Sequence, residues 1–493
     1  MVLSRYFAVR AMLVAITLLV AIGARAIAAD ESASEKKTPR WNVLFIATDD
    51  WRPEIACYGT TAIKTPNVDK LAARGVRFDR AYCQFPLCNP SRSSLLTGRY
   101  PTTTGVLDNI VFFRDAHPDW VTLPQHFKSQ GYAVARTGKI FHGGMDDPKA
   151  WAETLDGRSG KKCGTGGGKS PTNVTAAPAN AGQARPAKKG YDPALSDRIV
   201  VLDGDGESHQ DFDVAVHGIE LLEKYCDQPF FIAVGFHKPH SPPTAPKRFF
   251  DLYDPADMQL PADFAPRPTV PDGFPAASVP PRNGDLFINR DATPEAAREM
   301  IRAYHASASW VDWNIGRVLD ALDQLKLADN TIIVFFGDHG YHLGEKGKWS
   351  KHGSLFEVGA RVPLIICLPG ANGQVCKRTV EFVDLYPTLT ELCGLPQPAG
   401  LEGQSLAPLL ADPQAAWSHP ALTVANSRSG LGKSIRTERW RYSEWDDGRA
   451  GAVLFDHDQD PHEMKNLAAD PRYAETVTEL KSQLTRNLPA RSP

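Results

Sequence analysis

The residues best able to do chemistry stand at the ends of apolar runs. Asn42 to Thr48 is almost continuously apolar, as a strand buried on both faces of a parallel sheet must be, and it ends in Asp49-Asp50. A second such run, Thr331 to Phe336, ends in Gly337-Asp338-His339-Gly340. Tyr132 to Arg136 leads into Lys139 and His142, and Phe230 to Gly235 is followed directly by His237. In open α/β sheets ligands bind outside the carboxyl ends of the strands, so these groups can converge although they are far apart in sequence. Singly, each is explained by a capping aspartate or a core histidine. Jointly they are not, because carboxylates held within a few ångströms of one another repel and need a cation. Oxygen-rich ligation by Asp49, Asp50 and Asp338 suits a hard ion, Ca2+ or Mg2+.

The stretch Phe85 to Pro101 reads Phe-Pro-Leu-Cys-Asn-Pro-Ser-Arg-Ser-Ser-Leu-Leu-Thr-Gly-Arg-Tyr-Pro. Pro90 can open a helix and Gly98 can close it, which sets Cys88 at a helix N-terminus, where backbone N–H groups and the dipole favour an anion. Arg92, one turn on, can add a bidentate fork for an oxyanion. A cysteine taken alone is more often a buried structural thiol; the pattern around this one changes the odds. Cys-x-Pro-Ser-Arg followed by Ser-Ser-Leu-Leu-Thr-Gly-Arg resembles the signature of the type I sulfatases.

The resemblance implies that Cys88 is oxidised after synthesis to formylglycine, whose hydrated aldehyde is the nucleophile, and that a formylglycine-generating enzyme is a partner during maturation. It implies one Ca2+ per chain, held by Asp49, Asp50, residue 88 and Asp338; Mg2+ is the alternative. His339 stands where many members have asparagine and is similar to the iduronate-2-sulfatase branch, so it joins the metal set. The same resemblance singles out Arg92, Lys139, His142, His237 and Lys351 for the sulfate pocket and proton transfer. Lys139 and Lys351 would neutralise transition-state charge, His237 or Lys351 would protonate the leaving alcohol, and His142 would take a proton from the nucleophile. Lys346 and Lys348 are expected to be surface charges. His240, His342 and His352 are weaker candidates for sugar contacts, weighed against simple surface placement.

The elements that must position these groups read as helix and strand in alternation. Thr65 to Arg74, Leu123 to Gln130, Asp211 to Lys224 and Ala296 to Leu325 have helical spacing; strands are expected at Val76 to Tyr82 and Pro363 to Leu368. That order predicts an α/β fold, a mostly parallel sheet flanked by helices, similar to alkaline phosphatase and the sulfatases. Pro242 to Asn289 is proline-rich and irregular, the kind of long excursion that shapes a binding cleft. Beyond about Gly403, Trp440 to Trp445 and Ala452 to Asp456 read as antiparallel strands before a final helix from Tyr473 to Asn487. The expected division is a catalytic domain over 30–402 and a smaller antiparallel-sheet subdomain over 403–493. The segment Leu454-Phe455-Asp456 through His462-Glu463 to Leu467 also resembles the sulfatase C-terminal region.

The chain has 493 residues with Lys+Arg 55 against Asp+Glu 57, so nothing in its charge points to nucleic acid or an anionic membrane as partner. Arg5 and Arg10 precede the apolar run Ala11 to Ile22, and small residues follow in Ala26-Ile27-Ala28-Ala29. This reads as a secretory signal peptide over 1–29, short of the ~20 apolar residues of a stable membrane span. Export to a periplasmic or extracellular space is expected, or to a lysosome in a eukaryote. Export permits disulfides; among Cys57, Cys83, Cys88, Cys163, Cys226, Cys367, Cys376 and Cys393, Cys376 and Cys393 could pair. Residues 157–190 read as a flexible Gly/Lys/Ala/Pro insertion, with a formal glycosylation sequon at Asn173.

The expected activity is therefore hydrolysis of a sulfate ester on a sulfated sugar, with iduronate-2-sulfatase-like exo-action on a glycosaminoglycan or another sulfated polysaccharide. Two rivals stand beside it. A phosphatase or phosphodiesterase of the alkaline-phosphatase superfamily shares strand-end aspartates but normally uses Ser or Thr and two zinc ions. A non-catalytic binder of sulfated glycans would have no need of the full polar set.

Overall fold

The computed structural model describes residues 40–157 and 197–490. The expected signal peptide (1–29), nearly all of the expected insertion (157–190), Asn173 and Cys163 lie outside the described residues. Among the described residues fifteen strands occur in chain order: β1 Asn42–Asp49, β2 Val76–Tyr82, β3 Ala133–Gly138, β4 Glu153–Leu155, β5 Val200–Leu202, β6 Phe230–Pro239, β7 Thr244–Pro246, β8 Thr331–Gly337, β9 Arg361–Val362, β10 Leu364–Cys367, β11 Gln374–Glu381, β12 Ala421–Ser427, β13 Gly430–Arg436, β14 Trp440–Trp445 and β15 Ala452–Asp456. The helices of seven residues or more are α1 Pro66–Ala72, α2 Cys88–Thr97, α3 Leu123–Ser129, α4 Gln210–Tyr225, α5 Pro294–Gln324, α6 Leu385–Leu392 and α7 Ala474–Asn487.

The large sheet runs β11-β2-β10-β8-β1-β6-β3-β4, with β9 on β2. Strands β8, β1, β6 and β3 are parallel neighbours, whereas β10 lies antiparallel to both β8 and β2. All eight residues of β1 are buried. Leu44 and Ile46 enter the cluster on one face, packed with α4 and α5, while Val43, Phe45 and Ala47 enter the cluster on the other. That two-sided burial explains why the strand has no polar alternation. Each large apolar side chain so buried stabilises the fold by about 1.5–3 kcal/mol.

Two local features set the strand ends. Gly138 and Gly235 face each other across β3 and β6, and a Cβ on Gly138 would fall 2.1 Å from the Gly235 carbonyl oxygen. Only glycine lets the two strands close there, which delivers Lys139 beside β6. Gly98 ends α2 in the left-handed conformation with φ 65°, as the sequence predicts.

The second sheet, β12-β13-β14-β15, is antiparallel throughout. The strands β12 and β13 were not expected, because Thr423 to Ser434 is rich in Gly, Ser and Asn. Their inner residues Leu422, Val424 and Ile435 pack with Phe85, Leu87, Tyr100 and Leu107 around α2. The β12 backbone also bonds the segment before α2, from Val424 N–H to the Gln84 carbonyl at 2.9 Å. The second sheet thus packs against the segments on either side of the Cys88 helix. Among the described residues no helix is long and apolar enough to cross a membrane. All seven described cysteines are free thiols, so Cys376 and Cys393 do not pair.

Candidate active site

The four central strands carry their polar residues to one edge. Asp49 ends β1 and Asp50 follows it; Lys139 follows β3; His237 lies near the end of β6; Asp338 and His339 follow β8. Asp50 adopts φ 64°, uncommon for a residue with a side chain. It is held there from two sides. The Tyr304 hydroxyl on α5 donates to the Asp50 carbonyl at 2.6 Å, and the Asp50 N–H donates to Asp338 Oδ1 at 3.2 Å.

Cys88, at the first turn of α2, faces this edge. Its sulfur lies 3.3 Å from Asp49 Oδ1 and 3.3 Å from His339 Nε2. His339 Nδ1 is 3.3 Å from Asp50 Oδ1, and its Nε2 is 3.6 Å from Asp338 Oδ1. One ligand atom each from Asp49, Cys88, Asp338 and His339 fits within 4.8 Å. Asp50 Oδ1 is buried and takes no hydrogen bond. A hard cation fits this donor set: Asp49, Asp50 and Asp338 supply carboxylate oxygens, and one of these, Asp50 Oδ1, is buried without a hydrogen bond. The strength of the negative field shows in His339, whose imidazole is pushed up to about 10: burial opposes the charge, but Asp338, Cys88 and Asp50 outweigh it.

Cations flank the acids. Lys139 Nζ pairs with Asp49 Oδ2, and Lys351 Nζ lies 3.0 Å from Asp50 Oδ2 and 3.5 Å from Asp285 Oδ2. Burial alone would raise Asp49, but Lys139, with His240, Arg92 and Lys351 behind it, holds its carboxyl well below the usual range. Asp50 is pushed the other way, to about 7, because burial exceeds the help from Lys351. Burial and Asp49 would raise the Cys88 thiol; Lys139, Lys351 and His339 together bring it down to about 7. The sequence alone predicts that Arg92 offers a fork to an oxyanion. Instead its guanidinium is engaged inside the protein, donating to Asp338 Oδ2 at 2.8 Å and to the carbonyls of Lys139, Ile140 and Thr48 at 2.5, 3.0 and 3.4 Å. It ties α2 to three strand ends.

Two histidines have distinct settings. His142 Nδ1 is buried without a hydrogen bond, and burial, then Lys139 and Arg92, lower its pKa to about 4. His237 Nδ1 lies 3.1 Å from Asp211 Oδ1. Asp211 was expected only as the first residue of a helix; it sits fully buried in the first turn of α4, and nothing in the sequence links it to His237, 26 residues away. Asp285, from the irregular excursion, was likewise missed, and it meets Lys351 because that excursion folds back over the site.

Lys346 and Lys348 are not the surface charges expected of them, being 4 % and 2 % exposed. The excursion covers them: Lys346 Nζ pairs with Asp263 at 2.9 Å and lies over the Phe356 ring, while Lys348 Nζ donates to the His352 carbonyl at 2.9 Å. His342 is fully buried, with Nε2 2.6 Å from Ser354 Oγ, and cannot meet a sugar. His240 and His352 remain partly exposed beside Asp50 and Asp285 respectively.

The family described as Sulfatase matches residues 41–395, and N-sulphoglucosamine sulphohydrolase, C-terminal, matches residues 344–489. The chain is 32% identical over 553 residues to iduronate 2-sulfatase of Mus musculus, covering 92% of this chain and 95% of that protein. Its fold is similar to BT4656 solved with its substrate D-glucosamine-2-N,6-O-disulfate, with TM-score 0.70 and 21% identity over 91% of this chain and 97% of that one. It is also similar in fold to the phosphonate monoester hydrolase of Silicibacter pomeroyi, with TM-score 0.69 and 23% identity over 90% of this chain and 94% of that one. The chain belongs to the sulfatase family, on its iduronate-2-sulfatase-like branch, and is a sulfuric ester hydrolase.

Proposed function

We propose that the protein removes a sulfate ester from a uronic acid, in the manner of an iduronate-2-sulfatase acting at a chain end, with formylglycine at position 88 and one Ca2+. The observation that carries this reading is the placement of the Cys88 sulfur, 3.3 Å from both Asp49 and His339 and within the field of Lys139 and Lys351. The residues that would hold Ca2+ are Asp49, Asp50, residue 88, Asp338 and His339; bound there, it supplies positive charge against the sulfate oxygens. Formylglycine at position 88 supplies a hydroxyl nucleophile, and its formation calls for a formylglycine-generating enzyme.

The chain's own groups do the rest. Lys139 and Lys351 present ammonium charge where the transferring sulfuryl group gains charge, in a site that excludes water and so strengthens the effect. Arg92 keeps Asp338 and the β1 and β3 ends in register. His142, neutral and with Nδ1 unbonded, is able to accept a proton from the nucleophile. His237 donates a proton to the departing sugar oxygen. The basic start, apolar run and small residues of positions 1–29 support export, and the change of character near Gly403 supports a C-terminal subdomain over 403–493.

Desulfation assays on defined disaccharides, each carrying a single sulfate, test the reading. Release from a terminal 2-O-sulfated uronic acid, with little from aryl phosphate, is the expected result. Faster turnover of the aryl phosphate would place the protein with the phosphatases. Turnover confined to another sulfated sugar would keep the chemistry and change the substrate.

A further inference from the structure

Asp211 is an ionised acid with no part in the metal cluster, and the hydrogen bonds its carboxylate accepts come from the end of β6. It accepts hydrogen bonds from the backbone N–H of His237 at 3.0 Å to Oδ1 and 3.1 Å to Oδ2, and from the N–H of Lys238 at 2.8 Å. Its Oδ1 also lies 3.1 Å from His237 Nδ1. Burial alone would raise its carboxyl, but the bond and charge of His237, with His209 behind, bring it down to about 2. A carboxylate can only accept, so the nitrogen facing it must carry the hydrogen. Nε2 is thereby the nitrogen turned away from Asp211, on a side chain that is 30% exposed.

We propose that Asp211 is a positioning residue for the sulfuryl transfer: it fixes the His237 ring with Nδ1 carrying the hydrogen that faces the carboxylate, so that Nε2 is the nitrogen turned to the leaving group. This rests on the proposed role of His237. As the hydroxyl oxygen at residue 88 bonds to sulfur and gives its proton to His142, the sulfur–oxygen bond to the sugar breaks, and its electron pair goes to the sugar oxygen, which takes the proton from Nε2. The imidazole left behind keeps its Nδ1 hydrogen on Asp211 and regains the other proton from water. The same division of labour, an acid that orients and a histidine that transfers, holds elsewhere in hydrolytic enzymes. The two bonds from the His237 N–H to Asp211 add precision, since they lock the carboxylate to the residue whose ring it steers.

Two measurements on the full-length protein test this. Nitrogen NMR of the histidine-labelled wild type, assigned by difference from His237→Gln, should show neutral His237 as the Nδ1–H tautomer; an Nε2–H tautomer overturns the proposal without any change at Asp211. The second compares Asp211→Asn on an alkyl sulfate that needs a proton, the methyl glycoside of 2-O-sulfated iduronic acid, and on 4-nitrophenyl sulfate, whose leaving group needs none. Loss of about 100-fold or more in kcat on the alkyl sulfate is expected, with no comparable loss on the aryl sulfate and the same pattern in His237→Gln. Equal losses on both substrates would make Asp211 a purely structural residue. Failure of the wild type on the iduronic acid sulfate would instead count against the substrate proposed above, and the tautomer would still decide the role of Asp211.

Discussion

Arg92 Nε stands 2.8 Å from Asp338 Oδ2, and both side chains are almost wholly shielded from water, at 2 % and 1 % exposure. The pair joins the Cys88 helix to the end of β8, and the remaining guanidinium donors reach the ends of β1 and β3. It is therefore the joint that brings the nucleophile's helix to the acids.

Removing one partner of such a pair leaves the other charge buried and uncompensated. Arg92→Ala should lower unfolding free energy by about 3–5 kcal/mol in denaturant titrations and abolish turnover. Arg92→Lys keeps a charge but loses the fork, so it should recover part of the stability and little of the activity. Full activity in Arg92→Ala would show that the joint has no bearing on the site.

The acid cluster predicts one divalent ion per chain. Calcium at about 100 times its Kd should stabilise the chelator-treated protein by about 2.7 kcal/mol. The Asp50 carboxyl is held up to about 7 by burial, so below that pH the ion must displace its proton. Affinity should weaken as pH falls from 7 towards 5, with proton uptake by buffer visible in calorimetry. Two zinc ions per chain in the purified protein would contradict the assignment.

His142 predicts a pH signature. Its folded pKa, about 4, lies below the ordinary 6.5 because of burial and then Lys139 and Arg92. The neutral ring is favoured on folding, so its contribution to stability is complete above about 6.5 and is lost as pH falls through 4. His142→Gln should show a shallower loss of stability between those limits. Its kcat should drop by about 100-fold or more with KM little changed.

How much of this was legible before the structure follows from what each residue depends on. Asp49, Asp50, Asp338 and His339 were readable because each stands at the end of a strand whose unbroken apolar run announces burial. Lys139 and His237 were readable because they too follow short strand runs, Tyr132 to Arg136 and Phe230 to Gly235. Arg92 was placed correctly on its helix, yet its direction depends on three carbonyls contributed by other strands. Asp211 and Asp285 were invisible as site residues: each meets its partner only through packing of α4 on the sheet, or of the excursion over Lys351. Lys346 and Lys348 went astray for a related reason, since an isolated lysine gives no sign that a distant loop will cover it. The hairpin β12–β13 was missed because its glycines and serines mask strands held by packing against the segments that flank α2 and against α7.

The central claim is that residue 88 is the source of the nucleophile. The most direct test is mass spectrometry of the peptide spanning Cys88, with sulfate release measured on the same preparations. The rate should rise in proportion to the fraction of residue 88 present as the aldehyde, and Cys88→Ala should release no sulfate. Full sulfate release from protein in which Cys88 is entirely an unmodified thiol would contradict the account.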